Sequence, residues 1–144
     1  MSKVLKGIKN LNITMCLILG VFTASAYADE VEIQPLTKEE VQQGIASMKE
    51  SLHARIEAWG TTLKPTDFER SFFSGRQLNK QKRQEVCAIF QGVIDDTYKL
   101  AVENKARLKV SDQPIVDDRN SFIEHLGYPN NIVDTKMGFN CRLR

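Results

Sequence analysis

The stretch Thr37-Lys-Glu-Glu-Val41-Gln-Gln-Gly-Ile45-Ala-Ser-Met48-Lys-Glu-Ser-Leu52-His-Ala-Arg-Ile56-Glu-Ala-Trp59-Gly-Thr-Thr-Leu63 carries the strongest periodic signal in the chain. Its apolar residues recur at alternating spacings of four and three, which places them on one face of one helix. Glu39, Gln43, Lys49, Glu50, Arg55 and Glu57 fall mainly away from that face. Thr37-Lys-Glu-Glu40 is a capping box, in which Glu40 can reach back to the cap. Gly60 and Pro65 bracket the end of the helix.

Outward from this helix, Thr66-Asp-Phe-Glu69 reads as a second capping box. It is expected to open a short helix carrying Phe68, Phe72 and Phe73, stopped by Ser74-Gly75. A third helix is predicted from near Asn79 to about Arg107, with Val86, Ile89, Phe90, Val93, Ile94, Tyr98, Ala101 and Val102 on a broad buried face. Gly92 in its middle costs about 1 kcal/mol against alanine, and a second helix backbone coming close would compensate. A weaker helix follows through Asp118, Phe122, Ile123 and Leu126, closed by Gly127 and Pro129. Residues 132–144 lack helical period and read as an extended tail. The expectation is an all-α domain over residues 37–144, with two long and two short helices and a C-terminal tail held by one disulfide.

The first 28 residues fix the compartment. Lys3, Lys6 and Lys9 precede an apolar run, and Ala26-Tyr27-Ala28 supplies small residues at the −3 and −1 positions of a cleavage site. That order is a secretory signal peptide, too short in its apolar core to span a membrane. Met15 before Cys16 argues against lipidation, so no stable membrane anchor is expected after cleavage. Residues 29–36 form a flexible acidic leader. The expected location is periplasmic or secreted.

Cleavage after Ala28 leaves 116 of the 144 residues, enough for one domain. The whole-chain charge of +2 describes the precursor. The mature chain holds 17 basic and 18 acidic residues, a charge of −1, which gives no electrostatic reason to expect nucleic acid or an anionic membrane as partner. Its two cysteines, Cys87 and Cys141, have one intramolecular pairing and are expected to form a structural disulfide. They are too far apart for a CxxC redox motif, and two cysteines alone do not make a zinc site.

No catalytic constellation stands out. Asp95-Asp96 are adjacent helix positions that diverge by about 100° and cannot share a pocket. His53 and His125 lack a nucleophile with a local signature. Covalent haem attachment would need CxxCH, and a Met48/His125 ligand pair has nothing specific behind it. No cofactor or metal is therefore expected. Arg76, Lys80, Lys82 and Arg83 cluster where the third helix starts, although cations there oppose the helix dipole. The bland reading is a solvated basic face answered by Glu69 or Glu85. The sharper one is a partner surface in which Phe68 and Phe72 add aromatic anchors.

The run Cys87-Ala-Ile-Phe-Gln-Gly92-Val-Ile-Asp95 resembles the cysteine–aromatic–glycine–aspartate segment of the Rap1a/Tai family, small helical periplasmic immunity proteins that neutralise peptidoglycan-degrading effectors of type VI secretion. The resemblance implies a role class and no particular binding residue. The sequence thus leads to a non-enzymatic secreted binding protein, an immunity or inhibitor protein that neutralises a toxin or envelope-acting enzyme. The alternative is a periplasmic accessory or chaperone-like protein that binds client proteins.

Overall fold

A computed structural model describes residues 33–71 and 75–144. The signal peptide, the start of the leader, Phe72 and Phe73 lie outside the described residues. Helix α1 (Lys38–Gly60) opens with the capping box read from the sequence: Glu40 N–H donates to Thr37 Oγ1 at 3.1 Å, and Thr37 N–H donates to a Glu40 carboxylate oxygen at 2.8 Å. Helix α2 (Lys80–Glu103) starts at the expected place, where the Asn79 side chain accepts the Lys82 N–H at 2.9 Å. It stops slightly short of the expected end, and a 3-10 turn, Lys105–Arg107, completes the segment.

Three ion pairs or hydrogen bonds fix the two helices as an antiparallel pair. Trp59 bonds Glu85, Arg55 pairs with Asp96 at 2.7 Å, and Arg107 pairs with Glu40 at 2.9 Å. Arg107 also holds the end of the leader, because its Nε donates to Gln34 O and its carbonyl accepts Leu36 N–H. Gly92 is crowded by a side chain rather than by the expected helix backbone. An added Cβ would sit 3.4 Å from a guanidinium nitrogen of Arg55, which crosses α2 toward Asp96.

Helix α2 is the trunk of the core. Val86, Phe90, Val93 and Ile94 are buried on it, and helix α3 (Arg119–His125), capped by Asp118, adds Phe122 and Ile123. The stripe on α1 is covered unevenly. Met48 is buried, Leu52, Ile56, Trp59 and Leu63 pack partly buried against the core, and Val41 and Ile45 stay exposed. Farther along α2, Tyr98 is committed to α3: its ring lies 5.2 Å from that of Phe122 and its hydroxyl donates to Val116 O.

The all-α expectation is overturned by two antiparallel hairpins, so the fold is mixed α/β. Strands β1 (Phe68–Ser71) and β2 (Gly75–Leu78) pair with Phe68 opposite Leu78 and Arg70 opposite Arg76. They replace the short helix predicted after Thr66. Pro65–Asp67 is a single 3-10 turn in which Asp67 accepts Lys64 N–H at 2.7 Å. Glu69, needed to complete the expected capping box, instead pairs with Arg83 at 3.0 Å. Asp67 thus closes the turn two residues early, and the chain leaves it extended.

The tail is extended, as expected, but doubles back on itself. Strands β3 (Ile132–Asp134) and β4 (Asn140–Arg142) pair antiparallel, joined by a turn with Lys136 at φ 60° and Gly138 at φ 84°. The Cys87–Cys141 disulfide ties β4 to α2, with 5.3 Å between the Cα atoms. Gln91 accepts Arg144 N–H at 2.9 Å and donates to its carbonyl at 3.0 Å, which fastens the strand just beyond the disulfide.

Two stability measurements test this arrangement. Ile123, fully buried, should cost about 2–5 kcal/mol in chemical denaturation when replaced by alanine. Val41→Ala, on the exposed part of the stripe, should change stability by less than about 0.5 kcal/mol. The disulfide closes a 54-residue separation, worth about 4 kcal/mol on the chain-entropy model. The C87A/C141A variant should therefore melt roughly 15 °C lower. A melting point unchanged in that variant would show that the remaining contacts hold the tail.

Candidate binding site

A shallow cleft of about 340 Å³ lies where the last turns of α1 meet both hairpins. Ile56 and Trp59 line it from α1, Leu63 from the turn just after that helix, Phe68 and Leu78 from the first hairpin, and Met137 from the turn of the second. Each element delivers these side chains for a local reason. A spacing of three puts Ile56 and Trp59 on the same helix face, and Leu63 follows in the turn, its N–H donating to Gly60 O at 3.3 Å. Phe68 and Leu78 are directly opposed across the hairpin and therefore share its face. Met137 is held out by its own turn, in which its N–H donates to Thr135 Oγ1 while Thr135 donates to Phe139 O. Leu78 is buried, whereas Phe68 and Met137 remain 37% and 36% exposed.

Trp59 is positioned by an ionic group. Its indole N–H donates to Glu85 at 2.8 Å, and the same carboxylate oxygen accepts from Lys82 Nζ at 2.8 Å. The Lys82 hydrogen bond and then the Trp59 bond hold the Glu85 carboxyl below its ordinary pKa, while the same contact raises that of the Lys82 ammonium. A charge-assisted bond to a partly buried indole fixes the ring plane at the cleft wall.

The residues singled out from the sequence as partner-binding do not form one basic patch. Arg76 and Phe68 are brought together, with the guanidinium 5.4 Å from the ring centroid and an N–H donated to Pro65 O at 3.2 Å. Lys82 is spent on Glu85 and Arg83 on Glu69, as the solvated-face reading has it. Lys80 is exposed and lies with Arg83 on a second shallow cleft, about 370 Å³, beside Cys87 and Phe139. Phe72 lies outside the described residues.

Two residues of the cleft region escaped the sequence reading. Met137 sits in a turn that Thr135, Lys136 and Gly138 could have signalled between two short extended runs. Arg70 carries no motif, yet β pairing sets it directly opposite Arg76 and on the same hairpin face as Phe68.

The other candidates are placed apart from one another. Asp96 pairs with Arg55 of α1, while Asp95 pairs with Arg119 of α3 and accepts from Gln91, so the adjacent carboxylates clamp different neighbours. His53 is exposed beside Glu57, His125 contacts Ser121 O, and Met48 is buried in the core. Among the described residues no group of three or more His, Cys, Asp or Glu side chains could hold a metal ion, and no helix is long and apolar enough to cross a membrane. Compared with protein-family models, with characterised proteins and with solved structures, the chain finds no match in any of the three.

Trp59 is the only tryptophan, so intrinsic fluorescence reports on the cleft wall alone. The Glu85 pKa is depressed in the fold; its stabilising contacts are therefore complete above the unfolded pKa and are lost as pH falls through the folded value. Acid titration should give a tryptophan transition with a midpoint below about 4.3, the ordinary glutamate value. Glu85→Gln should remove that step. A transition of unchanged midpoint in the variant would separate the indole from Glu85.

Proposed function

We propose that this protein is a non-enzymatic binding protein of the periplasm, an immunity or inhibitor protein that neutralises a toxin or an envelope-acting enzyme. One observation carries the reading. A shallow apolar cleft with exposed Phe68 and Met137 is assembled from a helix and two short hairpins that are themselves tied to α2. A blocking protein needs such a surface, because apolar anchors on fixed elements lose little conformational freedom when they dock. The basic start of the mature chain's precursor and the Ala26-Tyr-Ala28 site support export, and the disulfide suits an oxidising compartment. The resemblance of residues 87–95 to the Rap1a/Tai family supports the role class. In that segment Cys87 is disulfide-bonded, Phe90 is buried, Gly92 faces Arg55 and Asp95 pairs with Arg119, so its residues serve the scaffold rather than a partner.

A second reading rests on Val41 and Ile45, exposed one turn apart on the first half of α1. An accessory or chaperone-like protein would use such an open apolar strip for varied clients. Co-purification from periplasm at moderate salt separates the two. An inhibitor should recover one dominant envelope-acting hydrolase and abolish its activity at a one-to-one ratio. Recovery of many unrelated proteins, reduced by V41S/I45S, would favour the accessory role and defeat the inhibitor reading.

A further inference from the structure

We infer that the cleft between α1 and the two hairpins docks a segment of another protein that presents one bulky apolar side chain flanked by carboxylates. The inference deepens the proposed binding role by naming the chemistry of the partner, and it rests on that reading only for its biological setting. The floor is apolar, formed by Ile56, Trp59, Leu63 and Leu78, with Phe68 and Met137 raised at its edges. Its volume of about 340 Å³ admits one large side chain or two small ones, not an extended chain. The charge beside it is basic and, among the described residues, unanswered. Arg70 and Arg76 are cross-strand partners on the face that carries Phe68 and Leu78. Like charges directly opposite one another destabilise a hairpin, and an intervening anion would relieve that repulsion.

Among the described residues neither arginine has a carboxylate to answer it: there Arg76 contacts the Pro65 carbonyl and the Phe68 ring, and Arg70 makes no ion pair. The neighbouring acids are engaged elsewhere: Glu69 with Arg83, Glu85 with Lys82 and Trp59, Asp67 with the Lys64 N–H, and Asp134 with Lys136. An apolar recess beside two uncompensated guanidiniums is complementary to an apolar residue set among acids. An anionic membrane fits less well. The recess is concave, and two arginines on a nearly neutral mature chain supply little of the polybasic attraction that surface binding uses.

The test uses the oxidised mature protein and a capped peptide, Gly-Asp-Glu-Phe-Glu-Asp-Gly, with a counterpart carrying lysine at the acidic positions. In ¹⁵N NMR titration the acidic peptide should saturably shift Trp59, Leu63, Phe68, Leu78 and Met137, and binding should weaken as salt rises. The lysine peptide and phosphatidylglycerol vesicles should leave those signals in place. R70E, which breaks no ion pair among the described residues, should keep the wild-type melting point. R70E/R76E, which also gives up the Arg76 contacts with Pro65 O and Phe68, should melt a few degrees lower but stay folded, and should weaken the acidic peptide about tenfold or more. Absence of shifts at millimolar acidic peptide, equal response to the lysine peptide, or preference for vesicles would overturn the inference. So would shifts of the same residues with protein concentration alone, which would mean that a second copy covers the cleft. Inhibition of a recovered hydrolase that survives R70E/R76E would leave the proposed function standing on a different surface, so the two failures are distinguishable.

Discussion

The structure depends on α2 having apolar side chains on more of its circumference than one neighbouring helix can cover. Val86, Phe90, Val93 and Ile94 are all buried within one arc of about 100°, and the partly buried Cys87 and Tyr98 widen the apolar face beyond a single stripe. Helix α1 covers one side. The rest of that face is covered by α3, the turn around Val116 and the second hairpin, which contributes Val133 and Cys141, with Leu143 just beyond it. Each covering element is then secured by a polar contact from α2 itself: Asp96 to Arg55 of α1, Asp95 to Arg119 of α3, and Gln91 to the backbone of Arg144. Exposed ion pairs add little stability one at a time. Their use here is orientation, because they sit at the edges of apolar contacts that supply the stabilising burial.

The same logic explains how much could be read from the sequence. Helices of more than twenty residues repeat their pattern often enough to be seen, and the caps at Thr37, Asn79 and Asp118 all lie where the residue types place them. Strands of three or four residues repeat nothing. Phe68-Glu-Arg-Ser has too few positions for alternation to be distinguished from a helix turn, and Thr66 with Glu69 imitates a capping box. The decision falls to long-range pairs, Glu69 with Arg83 and Phe68 with Leu78, which local spacing does not encode. The disulfide was legible because two cysteines permit one pairing. That the pinned tail folds into a hairpin is signalled only by the turn residues around Lys136 and Gly138, because its strands of three residues each are too short to show alternation.

The basic cluster shows how the fold redistributes charge that is contiguous along the chain. Arg76, Lys80, Lys82 and Arg83 are close in sequence, but the change from strand to helix at Asn79 sends them to different surroundings. Lys82 and Arg83 meet acids, Lys80 faces the second cleft, and Arg76 lies over Phe68. The charge that remains unanswered near the apolar cleft pairs Arg76 with Arg70, across the hairpin rather than along the helix.

The disulfide and the cleft are parts of one mechanical path. Cys87 holds Cys141 against α2, β4 pairs with β3, and the turn between them carries Met137 to the cleft edge. On the opposite wall, Glu85 one turn or less before Cys87 holds the Trp59 indole. The first turns of α2 therefore position both sides of the recess, one through a covalent bond and the other through a charge-assisted hydrogen bond. A cleft built this way is set when the disulfide forms. Oxidation would both lock the tail and complete the cleft, which couples the binding role proposed for this protein to the oxidising compartment expected from its first 28 residues.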